Sequence, residues 1–129
     1  MSVRVPETTL LREPAERWTL AEAAELYDVA SWGKGYFAVG DNGHVWVYPS
    51  KDTSRGIDLK ELVDKLVLRG ISLPILIRFA DILRHRLSEI HQAFESAIAE
   101  HNYRGGYVCV YPVKVNQQRH VVEEVFQFG

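Results

Sequence analysis

Two short runs of β-forming, mainly apolar residues predict a β-hairpin in the first half of the chain. Two runs rich in β-branched and aromatic residues, 35–40 and 44–48, flank Asp-Asn-Gly at residues 41–43. Asn and Gly tolerate the positive φ that a tight turn between antiparallel strands requires. The sequence therefore predicts a hairpin here, and the Pro-, Ser- and Gly-containing stretch 49–56 after it predicts a polar loop.

A helix-start signal precedes the hairpin. Thr19 and Glu22 have the spacing of a capping box, in which the two side chains satisfy backbone N–H groups at a helix N-terminus. We expect a short helix from this point to about Tyr27. Residues 1–17 carry two prolines and no periodicity, so they are predicted to form a lead-in tail.

A second helix is predicted after the polar loop. Asp58 and Glu61 repeat the N-terminal capping spacing, and Gly70 lies where a helix would end. The apolar residues between them recur at helical spacing: Leu59, Leu62, Val63, Leu66 and Val67. We therefore divide the chain into an N-terminal helix-and-hairpin segment, residues 18–57, and a following α/β segment, residues 58–129.

The pattern after Gly70 is that of alternating strands and helices. Residues 73–79 and 107–111 are short, nearly continuous apolar runs, as in strands that are buried on both faces. Between them, residues 81–101 have the apolar stripe of a long helix, and residues 118–126 resemble the start of another. Strand, helix, strand and helix onset form one βαβ unit, whose strands are expected to be parallel with a right-handed crossover. The predicted fold class is α/β.

Composition limits the classes of protein to which the chain can belong. The 129 residues, 47% of them hydrophobic, and the net charge of −2 favour one globular domain and argue against a dominant nucleic-acid surface. The single cysteine, Cys109, excludes an intramolecular disulfide and a zinc site with several cysteines. No apolar run reaches the roughly 20 residues that cross a bilayer, and the N-terminus does not resemble a secretory signal. We expect a cytoplasmic protein without a nucleic-acid or membrane partner.

Few side chains are candidates for metal binding or nucleophilic chemistry. His85 and His91 lie on the predicted long helix at positions about 240° apart around its axis, so they cannot share a metal ion. The other histidines lack a partner at ligand spacing, and no metal site is predicted. Cys109 lies inside a predicted strand, where a small buried hydrophobe is the simpler interpretation.

Lys114 is the remaining candidate. With the period of a strand, Val108, Val110, Pro112 and Lys114 share one face. A lysine at the end of a buried strand is costly to desolvate unless it reaches water, pairs with an acid or reacts. Desolvation lowers the pKa of an amine, and a neutral amine is what a Schiff base with a carbonyl cofactor requires. The residues alone leave open whether Lys114 reacts or simply extends into solvent.

Several stretches resemble a known enzyme family. Residues 111–120, Tyr-Pro-Val-Lys-Val-Asn-Gln-Gln-Arg-His, are similar to the pyridoxal-phosphate (PLP) lysine motif of the biosynthetic arginine decarboxylases, a branch of the alanine-racemase-like (fold-type III) group. The Gln-Gln-Arg extension resembles the arginine branch in particular. Residues 32–37, 73–79 and 81–86 are similar to the same family, so the resemblance runs over residues 18–129.

The resemblance implies a fold and a reaction. The fold would be a PLP-binding (β/α)8 barrel with a β domain, and this chain would hold the N-terminal hairpin segment and the first βαβ units of an incomplete barrel. A complete barrel takes about 250 residues, so the chain is expected to be an N-terminal portion that is inactive alone. The reaction would convert L-arginine to agmatine and CO₂ in putrescine and spermidine biosynthesis, with PLP and Mg²⁺ as cofactors. Lys114 would be the catalytic, PLP-binding lysine, and the complete protein would form homo-oligomers.

Two alternatives remain open. A non-catalytic PLP-carrier relative would share the lysine strand, although the Gln-Gln-Arg extension and the hairpin argue against it. A small self-sufficient α/β interaction module would leave Lys114 as a surface lysine. The side chains that discriminate arginine from ornithine, lysine or diaminopimelate are expected beyond Gly129, because the nearby acids are predicted to face solvent: Asp81, Glu123 and Glu124.

Overall fold

The computed structural model describes residues 18–129, so the predicted lead-in tail, residues 1–17, lies outside the described residues. The helices are α1 (Leu20–Leu26), α2 (Val29–Gly33), α3 (Leu59–Leu68), α4 (Ala80–Glu100) and α5 (Arg119–Phe128). The strands are β1 (Phe37–Val39), β2 (Val45–Val47) and β3 (Ile57–Asp58), and single 3₁₀ turns cover Thr53–Arg55 and Val113–Val115. The class is therefore mixed α/β, as predicted, with one small antiparallel sheet among the described residues.

The capping box at the start of α1 is confirmed. The Thr19 hydroxyl accepts a hydrogen bond from the Glu22 amide at 3.2 Å, and the Glu22 carboxylate accepts one from the Thr19 amide at 2.8 Å. Helix α1 ends at Leu26, one residue before the expected end. The sequence did not predict α2, which begins after Asp28 adopts a left-handed φ of 48° and which has only five residues.

The hairpin is also confirmed, and a third strand extends it. Strands β1 and β2 pair antiparallel with Phe37 opposite Val47, and Gly43 in the turn has a φ of +78°. Strand β3 adds to the free edge of β2, with Val47 opposite Ile57. Val47 lies in the central strand and is 0% exposed, so it is the most deeply buried side chain of the core. The sequence did not predict β3 because two residues are too short to show a strand period.

Asp58 joins this sheet to helix α3. It is the last residue of β3 and the N-cap of α3, where its carboxylate accepts a hydrogen bond from the Glu61 amide at 3.1 Å. Gly70 follows the helix with a φ of +86°, a conformation that favours glycine, so both predicted ends of α3 are confirmed. The division into segments at residues 57 and 58 stays a prediction.

The two apolar runs that were predicted to be parallel strands form no β-ladder within residues 18–129. Exposure still alternates along them, as in an extended chain with one covered face. In the run 107–111, Val108 and Val110 are 80% and 81% exposed, whereas Tyr107 and Cys109 are half-buried. The prediction of a βαβ unit is therefore not met here, because a ladder needs a neighbouring strand about 4.8 Å away on at least one edge.

The long helix and the final helix are confirmed within two residues of their predicted bounds, and they pack against each other. Leu87 of α4 and Val125 of α5 are both buried. The Arg84 guanidinium lies 4.1 Å from the centre of the Phe128 ring. This helix pair therefore contributes its own buried apolar side chains to the core. Among residues 18–129, no helix is long and apolar enough to cross a membrane.

Candidate functional site

Lys114 lies in the 3₁₀ turn between the second extended run and α5. The turn is closed by two backbone hydrogen bonds, from the Val115 amide to the Pro112 carbonyl at 3.0 Å and from the Asn116 amide to the Val113 carbonyl at 3.1 Å. The expectation that Lys114 ends a buried strand is therefore wrong. Pro112 has no N–H to donate to a ladder, and the chain leaves the extended conformation immediately after it.

The Lys114 amine is solvent-exposed. Within residues 18–129 it has no carboxylate within ion-pair distance and no hydrogen-bond partner. No ion pair or hydrogen bond within the described part of the chain would have to be broken before another group approached this side chain. The desolvation that was expected at Lys114 is not present within residues 18–129, and its role as the cofactor lysine stays a prediction.

Two side chains of the same motif hold the turn that carries Lys114. The Asn116 side-chain oxygen accepts a hydrogen bond from the Gln118 amide at 3.1 Å, at the residue that precedes α5. The Tyr111 hydroxyl donates a longer one, 3.4 Å, to the Asn116 carbonyl. Asn116 therefore connects the extended run to the helix start, and the motif residues around Lys114 have a local structural role of their own.

An uncovered apolar surface surrounds Lys114 in the chain. Val110 lies on the open side of the extended run, and Val113 and Val115 on either side of Lys114 are also exposed. Exposed apolar patches are typical of surfaces that make further contacts. Within residues 18–129, Lys114 is thus flanked by exposed apolar side chains.

The other candidate groups fall into separate surroundings. His85 contacts Tyr36, whereas His91 lies edge-on to Tyr107 with the ring centres 5.3 Å apart. Across residues 18–129, no three His, Cys, Asp or Glu side chains converge as a metal site would require. Cys109 is half-buried rather than fully buried, on the covered side of its run.

The acids near the motif follow the prediction in two of three cases. Asp81 and Glu123 are mainly exposed, and each pairs with an arginine on its own helix, Arg84 at 3.4 Å and Arg119 at 2.6 Å respectively. Glu124 was also expected to face solvent, and this is wrong. It is half-buried, and one of its carboxylate oxygens has no hydrogen-bond partner within residues 18–129.

Sequence analysis missed a polar cluster that joins the hairpin segment to α4. The Tyr36 hydroxyl lies 2.7 Å from His85 Nδ1, and Glu89 accepts hydrogen bonds from Lys51 at 2.6 Å and from Arg86 at 2.7 Å. Tyr36 is only 5% exposed. No local pattern could reveal the cluster, because Tyr36 and His85 are 49 residues apart in the chain.

The charges of this cluster support one another. The hydrogen bond from Lys51, followed by that from Arg86, lowers the pKa of Glu89 to about 2 against an opposing effect of burial. Burial and the negative charge of Glu89 raise the pKa of Tyr36 above its usual range. Glu89 is therefore ionised and Tyr36 neutral over the physiological range, which fixes the cluster as a stable link between the two segments.

A second polar cluster lies at the end of the sheet. Asp58 accepts hydrogen bonds from the Asn42 amide group at 2.9 Å and pairs with His44 at 2.8 Å, in addition to capping α3. Burial opposes ionisation, but the hydrogen bonds from His44, Glu61 and Asn42 together lower the pKa of Asp58 to about 2. This cluster stabilises the hairpin turn and the helix start at once.

Comparison with known proteins identifies similar sequences but no matching family model. A biosynthetic arginine decarboxylase of Rhodopirellula baltica is 50% identical over 113 residues, which is 88% of this chain and 17% of that protein. One from Gloeobacter violaceus is 51% identical over 112 residues, and one from Geotalea uraniireducens is 45% identical over 114 residues. The chain spans 17% to 18% of the length of these relatives. The resemblance expected from the motif is thereby confirmed, and the chain is similar to one part of the biosynthetic arginine decarboxylases.

Proposed function

We propose that this chain is the N-terminal portion of a PLP-dependent decarboxylase that converts L-arginine to agmatine and CO₂, and that Lys114 holds the cofactor. The observation that carries the proposal is the accessible amine of Lys114 within a motif similar to the PLP lysine segment of that family. Agmatine production would place the complete protein in putrescine and spermidine biosynthesis. The isolated chain would be inactive.

The part that this chain plays in the reaction is confined to the lysine turn. The residues present fit PLP in one respect, because Lys114 offers an amine with no competing ion pair within residues 18–129. When bound, PLP supplies an electron sink for the electron pair that departing CO₂ leaves behind. Lys114 Nζ would hold the cofactor, release it when the substrate amine arrives, and move protons at that position. Asn116 and Tyr111 would keep the turn oriented.

Recognition of the guanidinium group needs a carboxylate, and the three acids nearest the lysine motif are poorly placed to supply one. A guanidinium is read by a carboxylate that makes paired, charge-assisted hydrogen bonds. Asp81 and Glu123 are already paired with arginines of this chain, and Glu124 is half-buried. The substrate-discriminating residues would therefore lie in the rest of the protein. The same holds for Mg²⁺, since no group of ligands for it converges among the described residues.

In the complete protein, the two extended runs would be strands of the barrel. Residues 73–79 and 107–112 flank α4 and alternate between a covered and an open side, as barrel strands do before neighbouring strands pair with them. The exposed side chains Leu76, Val108 and Val110 would then face the barrel interior. Neighbouring strands and, in the complete homo-oligomeric protein, partner subunits would cover the apolar surface around Lys114.

The decisive experiment labels the cofactor lysine in the complete protein. Borohydride reduction followed by peptide mass mapping should find PLP on Lys114, and Lys114→Arg should lower CO₂ release from arginine by about a thousandfold or more. Lys65→Arg is the matched control, because Lys65 is an exposed lysine on α3 with one ion pair to Glu61. Label on Lys34, Lys51, Lys60 or Lys65 in place of Lys114 would contradict the assignment.

A second measurement tests the substrate separately. The complete protein is assayed for CO₂ release from arginine, ornithine, lysine and diaminopimelate, and we expect arginine to be preferred. Glu123→Gln should leave that preference unchanged, since Glu123 is exposed and paired to Arg119. Preference for another of the four amino acids would overturn the substrate while leaving the role of Lys114 intact.

A further inference from the structure

A basic cleft of about 570 Å³ lies between the loop after β2 and the first turns of α4. Lys114 is not among the residues that line it. Its polar walls come from both elements: Ser50, Arg55, Asp81, Arg84, His85 and Ser88. A cleft of this size is in the range of small-molecule sites, about 300–1,000 Å³.

The cationic groups of the cleft keep unused hydrogen-bond donors. Arg55 makes no ion pair within residues 18–129. Arg84 uses one guanidinium nitrogen for Asp81, at 3.4 Å, and a guanidinium has five N–H groups. His85 uses Nδ1 for the Tyr36 hydroxyl, which leaves Nε2 as the second polar atom of the ring. Two arginines against one carboxylate make the cleft positive, and His85 adds a polar ring nitrogen.

The hydroxyl groups add neutral donors. The Ser88 oxygen accepts a hydrogen bond from the Gln92 side-chain amide at 3.2 Å, so its own O–H remains to be donated. Ser50 lies on the opposite wall. The polar cluster of Tyr36, Glu89 and Lys51 fixes the two walls relative to each other, since it ties the loop segment to α4 next to His85.

We propose that this cleft binds the phosphate group of a small phosphorylated molecule. A phosphate ester offers three terminal oxygens, which can accept hydrogen bonds from donors on both walls at once, whereas a carboxylate offers two. The volume exceeds what a bare phosphate fills, so the remainder of the ligand occupies the rest of the cleft. Asp81 is the one group in the wall that opposes an anion, and its removal should therefore strengthen binding.

Inorganic phosphate is the probe for the test. The ¹⁵N-labelled chain is titrated with phosphate, with acetate, and with chloride at equal ionic strength, and the backbone amide shifts of Ser50, Arg55 and Ser88 are followed. We expect saturable shifts with phosphate alone. Arg55→Gln should weaken phosphate binding about tenfold, which corresponds to one charge-assisted hydrogen bond. Asp81→Asn should tighten it.

Matched variants separate the cleft from general charge effects and from the cofactor lysine. Arg69→Gln, just after α3, and Asp64→Asn, on the exposed side of α3, change the net charge by the same amounts and should leave binding unaltered. Lys114→Arg should also leave phosphate binding unaltered, so the test of the cleft is independent of the test of the proposed function. Equal shifts with chloride, equal affinity for acetate, or unchanged affinity of Arg55→Gln would each overturn the proposal. A spectrum without dispersed resonances would show that the chain is not folded, and this would also overturn the proposal because the cleft would not form.

Discussion

The three-stranded sheet and the two extended runs at 73–79 and 107–112 are all apolar stretches of extended chain, and only the sheet forms a hydrogen-bonded ladder. In the sheet, β2 has partners on both edges that are close in the sequence, and Val47 at its centre is completely buried. The extended runs are separated by the 21-residue helix α4 and have no strand at either edge within residues 18–129. An apolar sequence therefore makes one side of an extended run pack against a core. Formation of a β-ladder requires, in addition, a neighbouring strand at the edge of the run.

The covered and open sides of the extended runs refine this comparison. On the covered side of the second run, Tyr107 contacts α4, where its ring stacks on that of Phe94 with the ring centres 4.0 Å apart. The open sides of the two runs hold Leu76, Val108 and Val110 in solvent. The sheet strands are therefore paired, whereas the extended runs are covered on one side only among residues 18–129.

Amide hydrogen exchange should show the largest difference between the two regions. The amides of Val45 and Val47 lie in the paired central strand, and we expect them to exchange at least about a hundredfold more slowly than those of Val108 and Val110, which have no ladder partner. The measurement is exchange followed by NMR or mass spectrometry on the 129-residue chain. Comparable protection in both segments would mean that the extended runs are paired, for example between two copies of the chain.

Truncation of one valine in each region should give the next largest effect. Val47→Ala removes two methyl groups from a fully buried site and should lower the free energy of unfolding by about 2 kcal/mol. Val110→Ala is the matched change at a side chain that is mostly exposed, and it should cost less than about 0.5 kcal/mol. Urea unfolding measures both. Equal losses would show that Val110 is buried in solution and would contradict the open side of the run.

The smallest expected effect is a pH dependence located in the sheet region. The hydrogen bonds from His44, Glu61 and Asn42 hold the pKa of Asp58 at about 2, below its usual 3.8. Ionised Asp58 therefore stabilises the fold fully above about pH 4, and this contribution is lost as the pH falls through about 2. Asp58→Asn should lower the melting temperature by several degrees near neutral pH, and the difference should shrink on acidification. Asp64→Asn is the control for the change in net charge. A loss of melting temperature in Asp58→Asn that does not vary with pH would contradict the assignment.

Signals that span a few residues predicted structure reliably in this chain. The capping pairs Thr19–Glu22 and Asp58–Glu61, together with the Asp-Asn-Gly turn at 41–43, each involve groups that touch each other in the folded chain. The elements that were missed, α2 and β3, are too short for a period to be visible. The similarity of residues 111–120 to the decarboxylases was also visible in the sequence, because a motif is read residue by residue.

The position of Lys114 could be predicted only in part. The prediction that alternate residues share one face of the run was correct as far as Val110, since exposure alternates with the strand period. The predicted burial of Lys114 was wrong, because burial depends on a covering layer and because Pro112 ends the extended conformation before Lys114 is reached. Pro112 was the one sequence signal that could have corrected this prediction.

The sequence by itself determined the local elements, the order of helices and hairpin, and the resemblance carried by the lysine motif. Only the tertiary structure decided which apolar runs form a ladder, how Tyr36 meets His85 and Glu89, and where a basic cleft opens between the loop and α4. Those contacts join residues tens of positions apart, and their energy depends on distance and on the exclusion of water, neither of which is encoded in the neighbours along the chain.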